Sequence, residues 1–501
     1  MSNKSRQRRI AASRSVSSAQ ATKAAGELFD QLLAELWDAL RAGDLLRAEV
    51  AASRCMILPQ LLGLDQDKSD AIFIKMTTQG RTQEDAALLR LMALLGSPAV
   101  KRSASRTLAD LTASGVYPAE WVAGAGKAVP GQAWRRQEAL GDQETIIVTF
   151  RYGDDEHAFV VGMDLISIPL ISGIGLLTDP AELAGLADRI KRPMGGFGPA
   201  QDITLAQARG WLEEALANTE TTPDLRHETI GFMPILRSRL RRLPAADDEP
   251  PEEFTAADRA AAVDAFMGSP QAADAIAADP AATRYWAELL SSYSSRVRGE
   301  PPTRVGPLKL EFILTSFVPR TYTLTEAQRR HMRPAVTAWA LWSAAHRGLD
   351  ESDTGHMADS LTEAFDGFDA AYDDPYCAAQ RAYTSDVATS DADITSISEH
   401  GRRRRFAMPP PGQRDDGGQT GLLDASDPPV RQSYAAAEFG GCALPGDLTR
   451  EDYLAAVQGV IEELWLGEPG TTWKRAQRLV AGGAGRHDVI HALVRQASAA
   501  P

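Results

Sequence analysis

Glu144-Thr145-Ile146-Ile147-Val148-Thr149-Phe150-Arg151-Tyr152-Gly153-Asp154-Asp155-Glu156-His157-Ala158-Phe159-Val160-Val161 is the stretch on which the fold class turns. Thr145 to Phe150 is a run of β-branched and aromatic residues, Gly153-Asp154-Asp155 is a turn, and Ala158 to Val161 is apolar again. Together they read as a β-hairpin. Ile168 to Leu177 can add a further strand. Downstream, Thr204-Leu205-Ala206-Gln207 is a capping box opening a helix with Ala208, Trp211, Leu212, Ala215 and Leu216 on one face. Phe232 to Leu243 reads as a second helix. Residues 143–245 are therefore expected to form a small α+β domain.

Outward from that island the pattern is helical. Before it, over 26–142, Leu32, Leu33, Leu36, Trp37 and Leu40 recur at helical spacing, and Asp44 can cap the next helix. Thr82-Gln83-Glu84-Asp85 is a capping signature ahead of Ala86 to Leu91. After it, Ala245 to Glu253 reads as a linker, and 254–375 as a helical domain. There Thr325-Glu326-Ala327-Gln328 opens a helix carrying Val336, Trp339 and Trp342, whereas Leu308 to Val318 suits strand and helix equally. Residues 385–440 hold no apolar period and contain Pro409-Pro410-Pro411 and Gly417-Gly418, the composition of a flexible linker. A last helical unit is expected over 446–501, with Tyr453, Leu454, Val457, Ile461 and Leu464 on one face. The expected fold is mainly α and multi-domain: helical modules with one small α+β domain.

Composition narrows the function classes. The 501 residues are 44% hydrophobic and 24% charged, enough for folded interiors. Fifty-three basic against 67 acidic residues give a net charge of −14, which argues against a protein built chiefly to coat nucleic acid. Cys55, Cys377 and Cys442 stand at no CxxC spacing, so neither a thiolate zinc finger nor a disulfide scaffold is expected. No uninterrupted apolar run is long enough for a membrane span. Residues 1–25 carry Lys4, Arg6, Arg8, Arg9, Arg14 and Lys23 with no acidic residue and no apolar signal core. They read as a disordered basic tail, and the cytoplasm is the expected compartment.

The sharpest chemical signal is Arg486-His487-Asp488-Val489-Ile490-His491. Four residues along a helix turn about 400° and rise about 6 Å, so His487 and His491 share a face. Two imidazoles so spaced can grip one zinc, with Asp488 standing where an HExxH site has its glutamate base. Spacing supplies no third ligand; the acidic cluster Asp366, Asp369, Asp373 and Asp374 is the nominated source. The glycines at 482, 483 and 485 can present backbone N–H groups to an anion or simply turn the chain, and no Walker pattern is present. Gly173-Ile174-Gly175 lacks the third glycine of a dinucleotide loop, and Gly195-Gly196-Phe197-Gly198 suits a phosphate-contacting loop or a plain connection. Arg402 to Arg405, beside Phe406, can meet nucleic acid or an acidic surface, or be a solvated charge run; the arginines from Arg237 to Arg242 face the same choice. His157 is a lone histidine. There is no GxSxG elbow.

The stretches Phe150–Val161, Thr204–Leu216 and Leu236–Pro244, with Gly306–Glu311 and Tyr372–Pro375, resemble long, multi-domain proteins of GC-rich bacteria that carry no assigned activity. Gly485–Ala492 resembles the RHxxIH segment of small bacterial domains of unknown function. The resemblance implies family membership and carries over no catalytic residue. The leading expectation is a non-enzymatic interaction or adaptor protein with a protein partner and no cofactor. The alternatives are a metal-dependent hydrolase with zinc on His487 and His491, and nucleic-acid association through the basic tail and Arg402–Arg405.

Overall fold

The computed structural model describes residues 18–56, 74, 80–193, 196–220, 227–246, 254–295, 300–390, 394–409, 424–444, 448–481 and 484–498. The described residues are mainly helical, with one antiparallel five-stranded sheet, as expected. The chain divides into two compact units, 1–138 with 143–249, and 139–142 with 250–501. Of the expected tail, residues 1–17 lie outside the described residues, and a helix begins at Ser18.

In the first unit, helices α1 (Ser18–Ala42), α2 (Leu45–Met56), α3 (Gln83–Leu95) and α4 (Pro98–Ala113) precede the sheet. Its strands are β1 (Val129–Gln137), β2 (Gln143–Tyr152), β3 (Asp155–Asp164), β4 (Leu170–Leu177) and β5 (Gln201–Ile203), in the order β4-β3-β2-β1-β5. The expected hairpin is β2–β3. Tyr152 pairs with Asp155, so its loop is Gly153-Asp154, and Gly153 supplies the positive φ (59°) that such a two-residue turn requires. Gly173 and Gly175 pair within β4 and form no dinucleotide loop. Helices α5 (Leu205–Glu220) and α6 (Met233–Leu240) complete the unit.

Most of the expected domain 26–142 and the expected domain 143–245 lie in this one unit. The sheet starts at Val129, and one core joins Leu36 and Leu40 of α1, Leu88 and Leu89 of α3, Ile146 and Val148 of β2, and Leu212 of α5. β1 carries no strand signal of its own, because Val-Pro-Gly-Gln-Ala-Trp-Arg-Arg-Gln shows no alternation. Its register shifts between Pro130 and Ala133, where Gly131 lies so close to Thr149 that a Cβ would overlap the hydroxyl. Its two arginines are used internally. Arg135 pairs with buried Glu144 at 2.6 Å, and Arg136 donates to the carbonyls of Gly198 and Arg192.

His157 is fully buried in this unit. Arg239 of α6 donates through Nε to His157 Nε2 at 3.2 Å and pairs through its other arm with Glu49 of α2 at 2.6 Å. Glu49 also accepts from the Tyr152 hydroxyl and the Gly126 N–H. Arg239 is thus a tie between α6, α2 and β3, and Arg237 pairs with Glu220, so α6 presents no arginine stripe.

In the second unit, α7 (Ala256–Met267), α8 (Pro280–Ser294), α9 (Met332–His346) and α10 (Glu351–Tyr372) pack around Phe266, Trp286, Trp339 and Phe368. The capping box at Thr325 forms, but the helix it opens ends at Arg330, and α9 starts afresh after His331. The ambiguous stretch 308–318 is helical, with one π turn over Ile313–Phe317.

Residues 385–440 are not a featureless linker. They hold α11 (Ile394–Ala407) and α12 (Pro428–Phe439), which pack with α13 (Arg450–Leu466), α14 (Gly470–Ala481) and α15 (Arg486–Ser498) around a second core containing Phe439, Tyr453, Ile461 and Val489. Pro410, Pro411 and Gly417-Gly418 lie outside the described residues. The run Arg402–Arg405 sits in α11 and is largely committed to the fold. Arg404 is buried, pairs bidentately with Asp386 at 2.6 and 2.7 Å, and lies 4.6 Å from the centre of the Trp465 ring. Arg403 donates to the carbonyls of Trp465 and Leu466, and Arg402 pairs with Glu399. Arg402 alone of the four is exposed. Among the described residues no helix is long and apolar enough to cross a membrane.

Candidate metal centre between α12, α13 and α15

His487 and His491 lie on α15, one turn apart, as their spacing predicts, with ring centres separated by 4.6 Å. The helix starts after Ala484-Gly485, and Val489 donates its N–H to the Gly485 carbonyl. Val489, Ile490, Leu493 and Val494 face the core, which leaves the histidines at its edge. Arg486 sets the position of this first turn. It donates to the Phe406 and Ala407 carbonyls at the end of α11 and pairs with Glu438 of α12.

The third donor is Cys442. It follows α12 after Gly440-Gly441, and its N–H reaches back to the Phe439 carbonyl at 3.1 Å. That turn places Sγ 3.4 Å from His487 Nε2. Ligand atoms from Cys442, His487 and His491 all lie within 4.8 Å of one another. A tetrahedral zinc with bonds of about 2.3 Å to sulfur and 2.05 Å to nitrogen would hold those atoms about 3.5 Å apart. The Cys442–His487 edge already has that length.

Aromatic neighbours fix the rings. Phe439, fully buried, stacks on His487 at 4.8 Å with an interplanar angle of 10° and meets His491 edge-on. Tyr453 of α13 lies nearly parallel to His491, and its hydroxyl is 3.1 Å from His491 Nδ1. Burial, and then the neighbouring Cys442, push the Tyr453 phenol up to about 12, so it remains a neutral hydroxyl. Burial lowers the pKa of His491, reinforced by His487 and Arg495. A neutral imidazole is the form that binds metal. His487 is exposed while Cys442 and His491 are half-buried, so the cluster opens to solvent on one side.

The sequence-nominated partners are employed elsewhere. Asp369 and Asp373 both bind Arg329, at 2.8 and 2.7 Å, Asp366 faces Arg333, and Asp374 caps the helix Pro375–Arg381. Asp488 occupies the exposed first turn of α15 and is not among the converging donors. Gly482 and Gly483 lie outside the described residues. Cys442 stands 45 positions from His487, so only tertiary packing reveals it. The lack of CxxC pairs excludes sites with paired thiolates, not one that mixes a single thiolate with imidazoles.

Compared with family models, curated proteins and solved structures, the chain matches none, so the functional reading rests on this geometry.

Proposed function

We propose that this chain binds a zinc-class ion through Cys442, His487 and His491. The observation that carries the reading is the convergence of one thiol and two imidazoles from two separate elements. One soft sulfur and two nitrogens suit zinc better than magnesium or calcium, which take oxygen donors. The finer reading is metal-dependent hydrolysis. Three protein donors with a solvent-facing side match a site that keeps its fourth position for water, and zinc brings the pKa of such water to about 7. In that reading Asp488, at the exposed helix start, is the candidate base, and Tyr453 orients the ligands from behind.

The test is metal analysis of the tag-free protein beside His487→Ala/His491→Ala and Cys442→Ser variants, followed by cobalt substitution. We expect near-stoichiometric metal in the wild type, its loss in the variants, and a thiolate-to-cobalt absorption band in the cobalt-loaded wild type that Cys442→Ser lacks. A wild-type protein that takes up neither zinc nor cobalt on titration sinks the proposal.

A further inference from the structure

The first unit holds an open groove of about 1220 Å³ between α1, α2 and the β2–β3 hairpin. Its lining includes the apolar and aromatic side chains of Leu46, Val50, Trp121 and Leu176. Five carboxylates line it, Glu35, Asp44, Asp154, Asp155 and Glu156, against one basic residue, Arg47. Glu35 already pairs with Arg54, and Asp44 caps α2. The three hairpin carboxylates are exposed at one rim. The groove therefore offers apolar surface beside a concentrated negative charge, which suits a cationic segment bearing a few apolar side chains.

We propose that the occupant is the chain's own segment 1–17. That segment has five cations, Lys4, Arg6, Arg8, Arg9 and Arg14, and no acidic residue. Arg8-Arg9-Ile10 supplies two guanidiniums for the hairpin carboxylates and one aliphatic side chain for the apolar lining. Reach permits it. The segment joins α1 at Ser18, and Glu35 lies 17 residues along that helix, about 26 Å away. Seventeen extended residues span at most about 55–60 Å. Roughly half of the segment returns along α1, and the rest remains to lie in the groove. The arrangement is independent of the metal centre, because every group in it belongs to residues 1–184.

Trypsin reads this directly in the full-length protein. Cleavage after Arg6, Arg8, Arg9 and Arg14 would be followed by mass spectrometry, with a free synthetic peptide of residues 1–17 as the unprotected reference. We expect cleavage at least several-fold slower in the protein than in the peptide. The protection should be lost in Asp154→Asn/Asp155→Asn/Glu156→Gln, isosteric changes at exposed positions at the end of the hairpin, with the sheet verified by circular dichroism. It should also weaken with salt. Equal rates in wild type and triple variant overturn the proposal. So does protection that rises with protein concentration, which would place the segment in a second copy of the chain.

Discussion

At Cys442 the thiol meets His487, and the Tyr453 hydroxyl lies against both Cys442 and His491. These contacts assign different roles to two side chains of one cluster. In the proposed zinc site Cys442 would be a donor, so Cys442→Ser should lower zinc affinity by several orders of magnitude. Tyr453 holds donors in place, so Tyr453→Phe should weaken affinity about 10–100-fold while leaving the stoichiometry unchanged. Competition with a chromophoric chelator measures both. Equal losses in the two variants would remove the distinction. The histidine pair was legible in the sequence because helix periodicity is local. Cys442 was not, because its approach depends on Phe439 packing against His487, a contact between residues 48 positions apart in the numbering. His157 shows the same limit. Nothing near it in the chain announces that Arg239, 82 positions away, donates to it.

Among the elements, α11 shows why an expected linker is a helix. Its buried positions are Ile394, Ile397, Gly401, Arg404 and Ala407, a helical spacing in which an arginine and a glycine stand where apolar residues are normally found. Arg404 is acceptable there because Asp386 neutralises it and Trp465 covers it, and neither partner is close in sequence. A hydrophobicity pattern cannot register such a residue, whereas the four-residue grammar of caps is fully local. The boxes at Thr82, Thr204 and Thr325 all form. The C-terminus of α13 yields a test at this scale. Gly467 adopts φ +85° there, its N–H bonds the Glu463 carbonyl, and a Cβ would overlap the Arg403 guanidinium. Gly467→Ala should therefore cost about 1–2 kcal/mol. Urea denaturation followed by Trp fluorescence measures it, and an unchanged midpoint would mean that the turn relaxes freely.

For the whole molecule, two buried groups give opposite slopes of stability against pH. Burial, and secondarily Arg239, depress His157 from 6.5 to about 3. Folding keeps it neutral, so its contribution is complete above pH 6.5 and is lost as pH falls toward 3. Asp142 runs the other way. Burial raises it from 3.8 to about 6, against Lys309 and the N–H groups of Leu308 and Lys309. Its contribution is complete below pH 3.8 and is lost as pH rises through about 6. Between pH 7.5 and 5, His157→Asn should flatten the acid-side fall of the unfolding free energy, and Asp142→Asn should steepen it. Parallel slopes in all three proteins would contradict the assignment. The fold class was readable at this scale from helical periodicity set against one β-branched stretch. That α1, α3 and the sheet share one core was not, because no local pattern reveals it.

The turn after α12 brings Cys442 beside a helix that begins more than forty residues later. An ion bridging the two would act as a clasp on the intervening helices, and a clasp of this kind couples supply to survival. Each tenfold of free metal above the dissociation constant adds about 1.4 kcal/mol to the clasped state. A cell short of zinc would meet a chain whose last helices open more often and fall to proteases sooner, so the abundance of the protein would itself report on metal status.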